Sequence, residues 1–493
     1  MFSQLIRFSK HSIIYGLGVA VSQVVGFFLI PVYTRYLTPN DYGTLEIFTA
    51  TSSVLSVILT MGLTTALFRS YFFHDDAEKK KQVVSTAFLF LTVTSGLLTL
   101  LLIGLAGSFS SLLFGSAEYT FYFRIIFLTV FCNTGVAIGL SVFRAREEPI
   151  RYSLVTVSQV VISIILNIVF VVVLHKGVLG ILEAGLIAAA LIYLSLMITL
   201  IRRAGFSFSR DELKRMLDFG LPLVPANLSS WILTLADRYF LQFLSTTHEL
   251  GLYSLGYRFG LVINGLLVQP FQTAWMPFMF LIAKEKKAKE TYSRILTYFF
   301  LVAMFAALAL SVLSKEALAI MATPAFRDAY KVIPLVALSY VMYGCCYVFM
   351  VGINLQAKTK YIALLFGAAA VLNLALNYIL IPHYGMMGAA GATLISYMAL
   401  AISTFLVSQK LYVVNYEWGR VLKIFIAAGV IFAGSFFIHY DSRIVTGVFK
   451  LLTLVAYPIL LYLLRFYHPE EIQKVREMVR TSPEYVRRKL RRD

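Results

Sequence analysis

From its N-terminus onward the chain alternates long apolar blocks with short polar segments. SIIYGLGVAVSQVVGFFLIPVY (12–33), VVSTAFLFLTVTSGLLTLLLIGLA (83–106) and YSLVTVSQVVISIILNIVFVVVL (152–174) are three such blocks. Each exceeds the roughly 20 residues that a helix needs to cross a bilayer. The same length rule predicts about fourteen spans: 12–36, 43–66, 83–106, 119–143, 152–174, 178–201, 217–244, 250–276, 293–313, 330–352, 360–381, 386–407, 420–439 and 444–465. The predicted class is an all-α integral membrane protein. The first block is too long for the apolar part of a secretory signal and has no small-residue cleavage site after it, so it is expected to persist as a helix.

Composition agrees with this pattern. Of 493 residues, 59% are hydrophobic and 14% charged, with a mean hydropathy of +0.79. Soluble domains are roughly 45–50% apolar and about 25% charged. Cys132, Cys345 and Cys346 all fall inside apolar blocks and two are adjacent, which argues against a disulfide framework or a metal site.

The net charge of +18 would suit nucleic acid, but its distribution points to a membrane and to no nucleic-acid partner. Lys and Arg crowd into HDDAEKKK (74–81), RAREE (144–148), RRAGFSFSRDELKR (202–215), KEKKAKE (284–290), QAKTK (356–360) and the tail after Arg465. The alternate segments LTPNDYG (37–43), GSFSSLLFGSAE (107–118), STTHELG (245–251) and PHYGM (382–386) contain neither. The positive-inside rule then puts both termini in the cytoplasm and requires an even number of spans. The expected location is the cytoplasmic (inner) membrane, in contact with its lipids. The basic tail, 466–493, either rests on anionic lipid heads or is a solvated orientation signal.

The sequence also repeats itself. LHKGVLGILEAG (174–185) matches IPHYGMMGAAGA (381–392) through His175, Gly177, Gly180 and His383, Gly385, Gly388. Leu166-Asn167 and Leu376-Asn377 precede these, and FRAR (143–146) matches LQAK (355–358). TRYLTPNDYGTLEIF (34–48) matches DRYFLQFLSTTHELGLYSL (237–255), with Arg35 opposite Arg238 and Gly43 opposite Gly251. The order is kept and each offset is a little over 200 residues. Two parallel six-helix units follow, 1–210 and 211–410, with 411–465 an added pair of spans. Parallel repeats of this kind build transporters whose lobes rock around a central site. The His-x-Gly-x-x-Gly element reads as a tight turn, because glycine tolerates positive φ.

Six charges interrupt the apolar blocks: Glu46, Arg124, Glu183, Asp237, Arg238 and Arg258. Each costs about 2.5–3.5 kcal/mol at a bilayer centre, so they are expected to face protein or water. Their depths place them in the half of the membrane away from the basic loops, which predicts a wet cavity there with Arg35 at its rim. Three readings compete. Arginines snorkel to the interface. Asp237 or Glu46 neutralises an arginine in a structural pair. Or Arg238, Arg258 and Arg124 bind an anion, for which the planar guanidinium fork is the fitting group. Asp237, Glu46 and Glu183 are candidates for coupling to H+ or Na+; no other cofactor and no metal is expected. Pro222 and Pro225, with Gly26 and Pro31 in the first span, are candidate gating hinges.

Residues 12–73, from SIIYGLGVAVSQVVGFFLIPVYTRYLTPNDYG onward, together with ADRYFLQFLSTTHELGLYSLGYRFG (236–260), resemble the polysaccharide-exporting, Wzx-type branch of the MOP flippase superfamily. The resemblance implies a V-shaped bundle of two six-helix lobes. It implies a flippase that moves a polyprenyl-diphosphate-linked oligosaccharide to the outer leaflet by alternating access, with ion coupling and with polysaccharide assembly proteins as partners. Arg238 and Arg258 lie in the matching segments. The alternatives are a lipid II flippase, a MATE-like exporter of small cations, and a membrane glycan polymerase or ligase. The last would need a sizeable external catalytic loop, whereas the longest one here is about 314–329, and no enzyme motif is present.

Overall fold

The computed structural model of the chain describes residues 27, 29–438, 443–469, 471 and 473, and among them no strand occurs. The first half contains α1 (Ile30–Tyr36), α2 (Pro39–Thr60), α3 (Leu63–Phe73), α4 (Ala77–Gly104), α5 (Ala106–Phe114), α6 (Thr120–Ala145), α7 (Pro149–Asn167) and α8 (Gly177–Ala204). Then come α9 (Arg210–Gly220), α10 (Val224–Leu235), α11 (Asp237–Leu244), α12 (Thr247–Ile263), α13 (Gln269–Ile282), α14 (Ala288–Val312), α15 (Ser314–Met321), α16 (Ile333–Phe349), α17 (Val351–Leu355), α18 (Lys360–Leu411), α19 (Trp418–Ser435) and α20 (Arg443–Leu463).

Helix starts show the repeat in atomic detail. Thr38 is extended, its hydroxyl accepts from the Asp41 N–H, and the Asp41 carboxylate accepts from the Thr38 N–H at 2.9 Å. This is a capping box, and Pro39 follows in the first turn, where a missing N–H costs nothing. In the second half Thr246 is extended and its hydroxyl accepts from the Glu249 N–H at 3.1 Å. Here the Glu249 carboxylate accepts instead from the Ser245 hydroxyl at 2.8 Å and the Met386 N–H at 2.9 Å, so it also caps the helix that follows Gly385.

α18 has 52 residues, about 78 Å at 1.5 Å per residue, far beyond a ~30 Å hydrocarbon core. It breaks at Gly385, where φ is 51°. A Cβ on Gly388 would lie 2.4 Å from the Leu380 carbonyl oxygen, so the chain doubles back. In the other copy His175 (φ 53°) and Gly177 (φ 56°) make the equivalent turn between α7 and α8. The turn predicted from His-x-Gly-x-x-Gly is present in both halves. Among the described residues, eleven helices are long and apolar enough to cross a membrane; the bent α9–α11 unit adds one and the division of α18 another. The first expected span lies largely outside the described residues, as do Gly26 and most of the basic tail.

Several expected loops are helical. GSFSSLLFGSAE holds most of α5, the basic 202–215 segment holds the start of α9, and 314–329 holds α15 and a 3-10 stretch, Pro324–Lys331. Their apolar residues have core partners: the Phe114 ring lies 4.4 Å from Tyr119 and 5.5 Å from Phe48. The second span is longer than predicted, Pro39–Phe73, and is broken at Met61 and Gly62, where φ is 49° and 68°.

The segments joining the helices fall on two faces. The basic face holds 74–76, 146–148, 205–209, 283–287 and 356–359; the far face holds 37–38, 115–119, 174–176, 245–246 and the Gly385 turn. The two most buried spans are Thr120–Ala145 (67%) and Ile333–Leu355 (78%), one central helix per half, whereas Pro149–Val173 is 11% buried and looks outward.

The core is divided unevenly. Residues from the far half of the first lobe, among them Ile30, Tyr42, Phe48, Phe123 and Phe127, share one buried cluster with the second lobe from Leu233 onward and with α19 and α20. Residues from its basic half, among them Leu67, Val84, Ile138, Val142 and Leu200, form a separate cluster. From beyond the first lobe, the second cluster buries only Met216, on α9. The lobes therefore share one core at the far face, while towards the basic face the first lobe keeps its own core and meets the rest of the chain through α9, where His74 lies 3.0 Å from Glu212 and Gly62 packs against Gly220.

Candidate functional site

α2 and α12 carry this shared core. A Cβ on Gly43 would lie 2.1 Å from the Thr247 carbonyl oxygen, and one on Gly251 would lie 1.9 Å from that of Pro39. These are the two glycines that the repeat sets opposite each other. Two helices related by the pseudo-symmetry meet on their own axis, and only residues without side chains allow backbones so close. Further along the same seam Arg258 Nη2 donates to Glu46 Oε1 at 2.7 Å, with the guanidinium 5.1 Å from the Tyr42 ring centre. The Glu46 side chain is 5% exposed and that of Arg258 29%. The hydroxyls of Thr51 and Tyr239 meet at 2.8 Å.

Nearer the far face, Thr34 Oγ1 donates to the Met321 carbonyl at 3.2 Å and Thr323 Oγ1 to that of Thr34 at 3.0 Å. Gln242 Nε2 donates to the Leu113 carbonyl at 3.1 Å. Where the sequence predicts a wet cavity opening to this face, the described residues form a packed seam. Of the three readings of these charges, the structural pair of Asp237 or Glu46 with an arginine is the one these residues display.

Asp237 and Arg238 stand where α10 turns into α11 through 49°. Arg238 Nη1 donates to Asp237 Oδ1 and to the Thr234 carbonyl, both at 2.6 Å. A side chain entering the helical carbonyl ladder is a recognised cause of a kink. The Tyr253 hydroxyl donates to the other Asp237 oxygen, and the guanidinium lies 4.2 Å from the Tyr257 ring centre. Tyr257 and Tyr340 in turn join hydroxyls at 2.8 Å. Both charges are buried, and among the described residues Arg238 Nε has no acceptor. The cluster formed by Glu46, Arg258, Asp237 and Arg238 is thus internally neutral, with two cations matched by two carboxylates.

The remaining candidates lie apart from it. Arg35 and Arg124 are exposed near the far face, and among the described residues neither makes an ion pair. Glu183 pairs with Lys176 at 2.6 Å. Pro222 lies in a 3-10 turn, Leu221–Leu223, and Pro225 in the first turn of α10; Pro31 is in the first turn of α1. The 49° bend of the seventh span lies at Ala236, one turn beyond Trp231 and Ile232, where neither proline nor glycine marks it. The tyrosines that frame the charges, Tyr42, Tyr253 and Tyr257, escape sequence reasoning, because buried aromatics do not stand out in a chain so rich in them.

A multi-pass membrane protein of two repeated lobes is the class that these features define. Residues 32–331 match the family model of polysaccharide biosynthesis proteins, and the chain belongs to that family. It is 23% identical to a protein of Shigella flexneri described as "Putative O-antigen transporter" over 411 residues, which is 82% of this chain and 97% of that one. In fold it is similar to the lipid II flippase MurJ in an inward closed conformation, with a TM-score of 0.73, 17% identity and coverage of 90% of this chain and 98% of that one. It is also similar in fold to an inward-facing multidrug resistance MATE family transporter of the MOP superfamily: TM-score 0.63, 18% identity, coverage 79% and 94%.

Proposed function

We propose that this chain is a flippase that carries a lipid-linked oligosaccharide from the cytoplasmic to the outer leaflet. The observation that carries the reading is the uneven core: in a member of the polysaccharide biosynthesis family, two repeated lobes share one core at one face and keep separate cores towards the other, where α9 links them. With the basic face cytoplasmic, this conformation is shut to the outside and suited to loading from within. The relative described as a putative O-antigen transporter supports a saccharide cargo; a polyprenyl diphosphate carrier is what the resemblance of 12–73 and 236–260 implies.

The physics favours this division of labour. A sugar head group crossing hydrocarbon would leave many polar groups unpaired, at a cost of several kcal/mol each. A path between lobes shields the head while the tail stays in lipid. Arg258 is the seam arginine with accessible surface in this state; Arg238 reaches an anion only after Asp237 releases it. Protonation of Glu46 or Asp237, or Na+ binding there, would loosen these pairs and open the seam, which couples release to an ion gradient. Arg35 and Arg124 stand at the exit. The setting is the cytoplasmic membrane, where polysaccharide assembly proteins would supply and collect the cargo.

The test is translocation by purified protein in liposomes holding a polyprenyl-diphosphate-linked saccharide. Protein-dependent movement of the saccharide, faster under a proton or sodium gradient, is the expected result. No movement with or without gradients, or efflux of small organic cations instead, would overturn the proposal.

A further inference from the structure

The far ends of α14, α15 and α16 enclose, with α19 and α20, a pocket of about 760 Å³ that lies outside the seam. Its wall carries Lys315, Arg327, Lys331 and Lys450 against two carboxylates, Glu316 and Asp328. Lys450 Nζ donates to Glu316 Oε1 at 2.8 Å and ties α20 to α15; Lys331 pairs with Asp328 at 3.0 Å. The Lys315 ammonium stands 4.5 Å from the Tyr330 ring centre and, among the described residues, makes no ion pair. Arg327 is exposed and, among the described residues, makes no hydrogen bond or ion pair. Among the described residues the pocket therefore keeps an excess of positive charge, with one guanidinium outside any ion pair.

Two features separate this from a solvated cationic surface. The Lys450 side chain is 9% exposed, seven residues into α20, roughly 10 Å from its start. A buried ammonium carries a desolvation penalty that an exposed one avoids. The rest of the wall includes Pro334, Leu335, Met387, Phe432 and Phe436, so the charged groups share the pocket with apolar side chains. The repeat does not impose this chemistry: the matching segment of the first lobe, GSFSSLLFGSAE, has no cation, and α19 and α20 have no counterpart there.

We propose that this pocket binds the phosphate ester of an anionic membrane lipid. The free guanidinium offers the planar fork that phosphate accepts, Lys315 adds charge, and the apolar side chains of the wall take the start of the acyl chains. The proposal stands apart from the cargo reading. The test is native mass spectrometry of the delipidated full-length protein, titrated separately with phosphatidylglycerol, phosphatidylcholine and glycerol 3-phosphate. The expected result is at least threefold more bound phosphatidylglycerol than phosphatidylcholine at equal concentration. Lys315→Gln/Arg327→Gln is expected to remove that preference, and Lys423→Gln on the basic face to keep it. Equal retention of the two lipids, or a preference that survives the double substitution, overturns the proposal. Glycerol 3-phosphate binding without lipid preference overturns it too, by assigning the site to a soluble anion.

Discussion

Gly251→Ala is expected to slow transport at least tenfold while leaving a folded, membrane-inserted protein. The new methyl carbon would lie 1.9 Å from the Pro39 carbonyl oxygen, a backbone atom that cannot rotate away. Ordinary contact needs about 3.5 Å, so α2 and α12 must part by more than an ångström. The Glu46–Arg258 bridge and the Thr51–Tyr239 contact depend on that approach and would lengthen with it. Gly43→Ala meets the Thr247 carbonyl at 2.1 Å and is expected to act alike. Gly429→Ala is the control: nothing lies within 4 Å of its new carbon, and alanine favours a helix interior over glycine by about 1 kcal/mol. Transport in the liposome assay reads all three, and a wild-type rate for Gly251→Ala would show that the seam need not close.

The second large effect falls on stability. Asp237→Asn leaves the Arg238 guanidinium buried without its counter-charge, and breaking a buried pair on one side costs about 3–5 kcal/mol. Arg238→Gln does the same to Asp237, which would keep only the Tyr253 hydroxyl. The double variant Asp237→Asn/Arg238→Gln removes both charges and is expected to unfold at a higher temperature than either single one. By contrast, Glu183→Gln breaks a pair that water screens and should change stability by about 1 kcal/mol or less. Thermal unfolding in detergent measures the order. Single variants as stable as the parent would mean that the pair carries no structural load.

The span pattern, the face-to-face alternation of basic loops and the two glycine turns were legible, because each depends on local residues alone. The repeat was legible too, and its alignment of Gly43 with Gly251 already contained the seam. Turning that alignment into a contact requires knowing that the pseudo-symmetry axis passes between those helices, which sequence does not state. The Glu46–Arg258 pair joins residues 212 apart and is hidden for the same reason. Asp237 and Arg238 are hidden differently. Neighbours in a regular helix do not face each other, so their pairing depends on a bend that no proline or glycine announces. The short helices α5 and α15 were read as loops because each is too brief to show a membrane-length apolar run.

The central claim is that the far-face junction must open for cargo to leave. Thr34 and Thr323 sit across it, each hydroxyl bonded into the opposite side. The most direct measurement is translocation by a Thr34→Cys/Thr323→Cys protein, with Cys132, Cys345 and Cys346 replaced, before and after a short, cleavable thiol cross-linker joins the pair. The cross-linked protein should carry no cargo and recover when the link is cut; unchanged translocation with the junction locked would contradict the account.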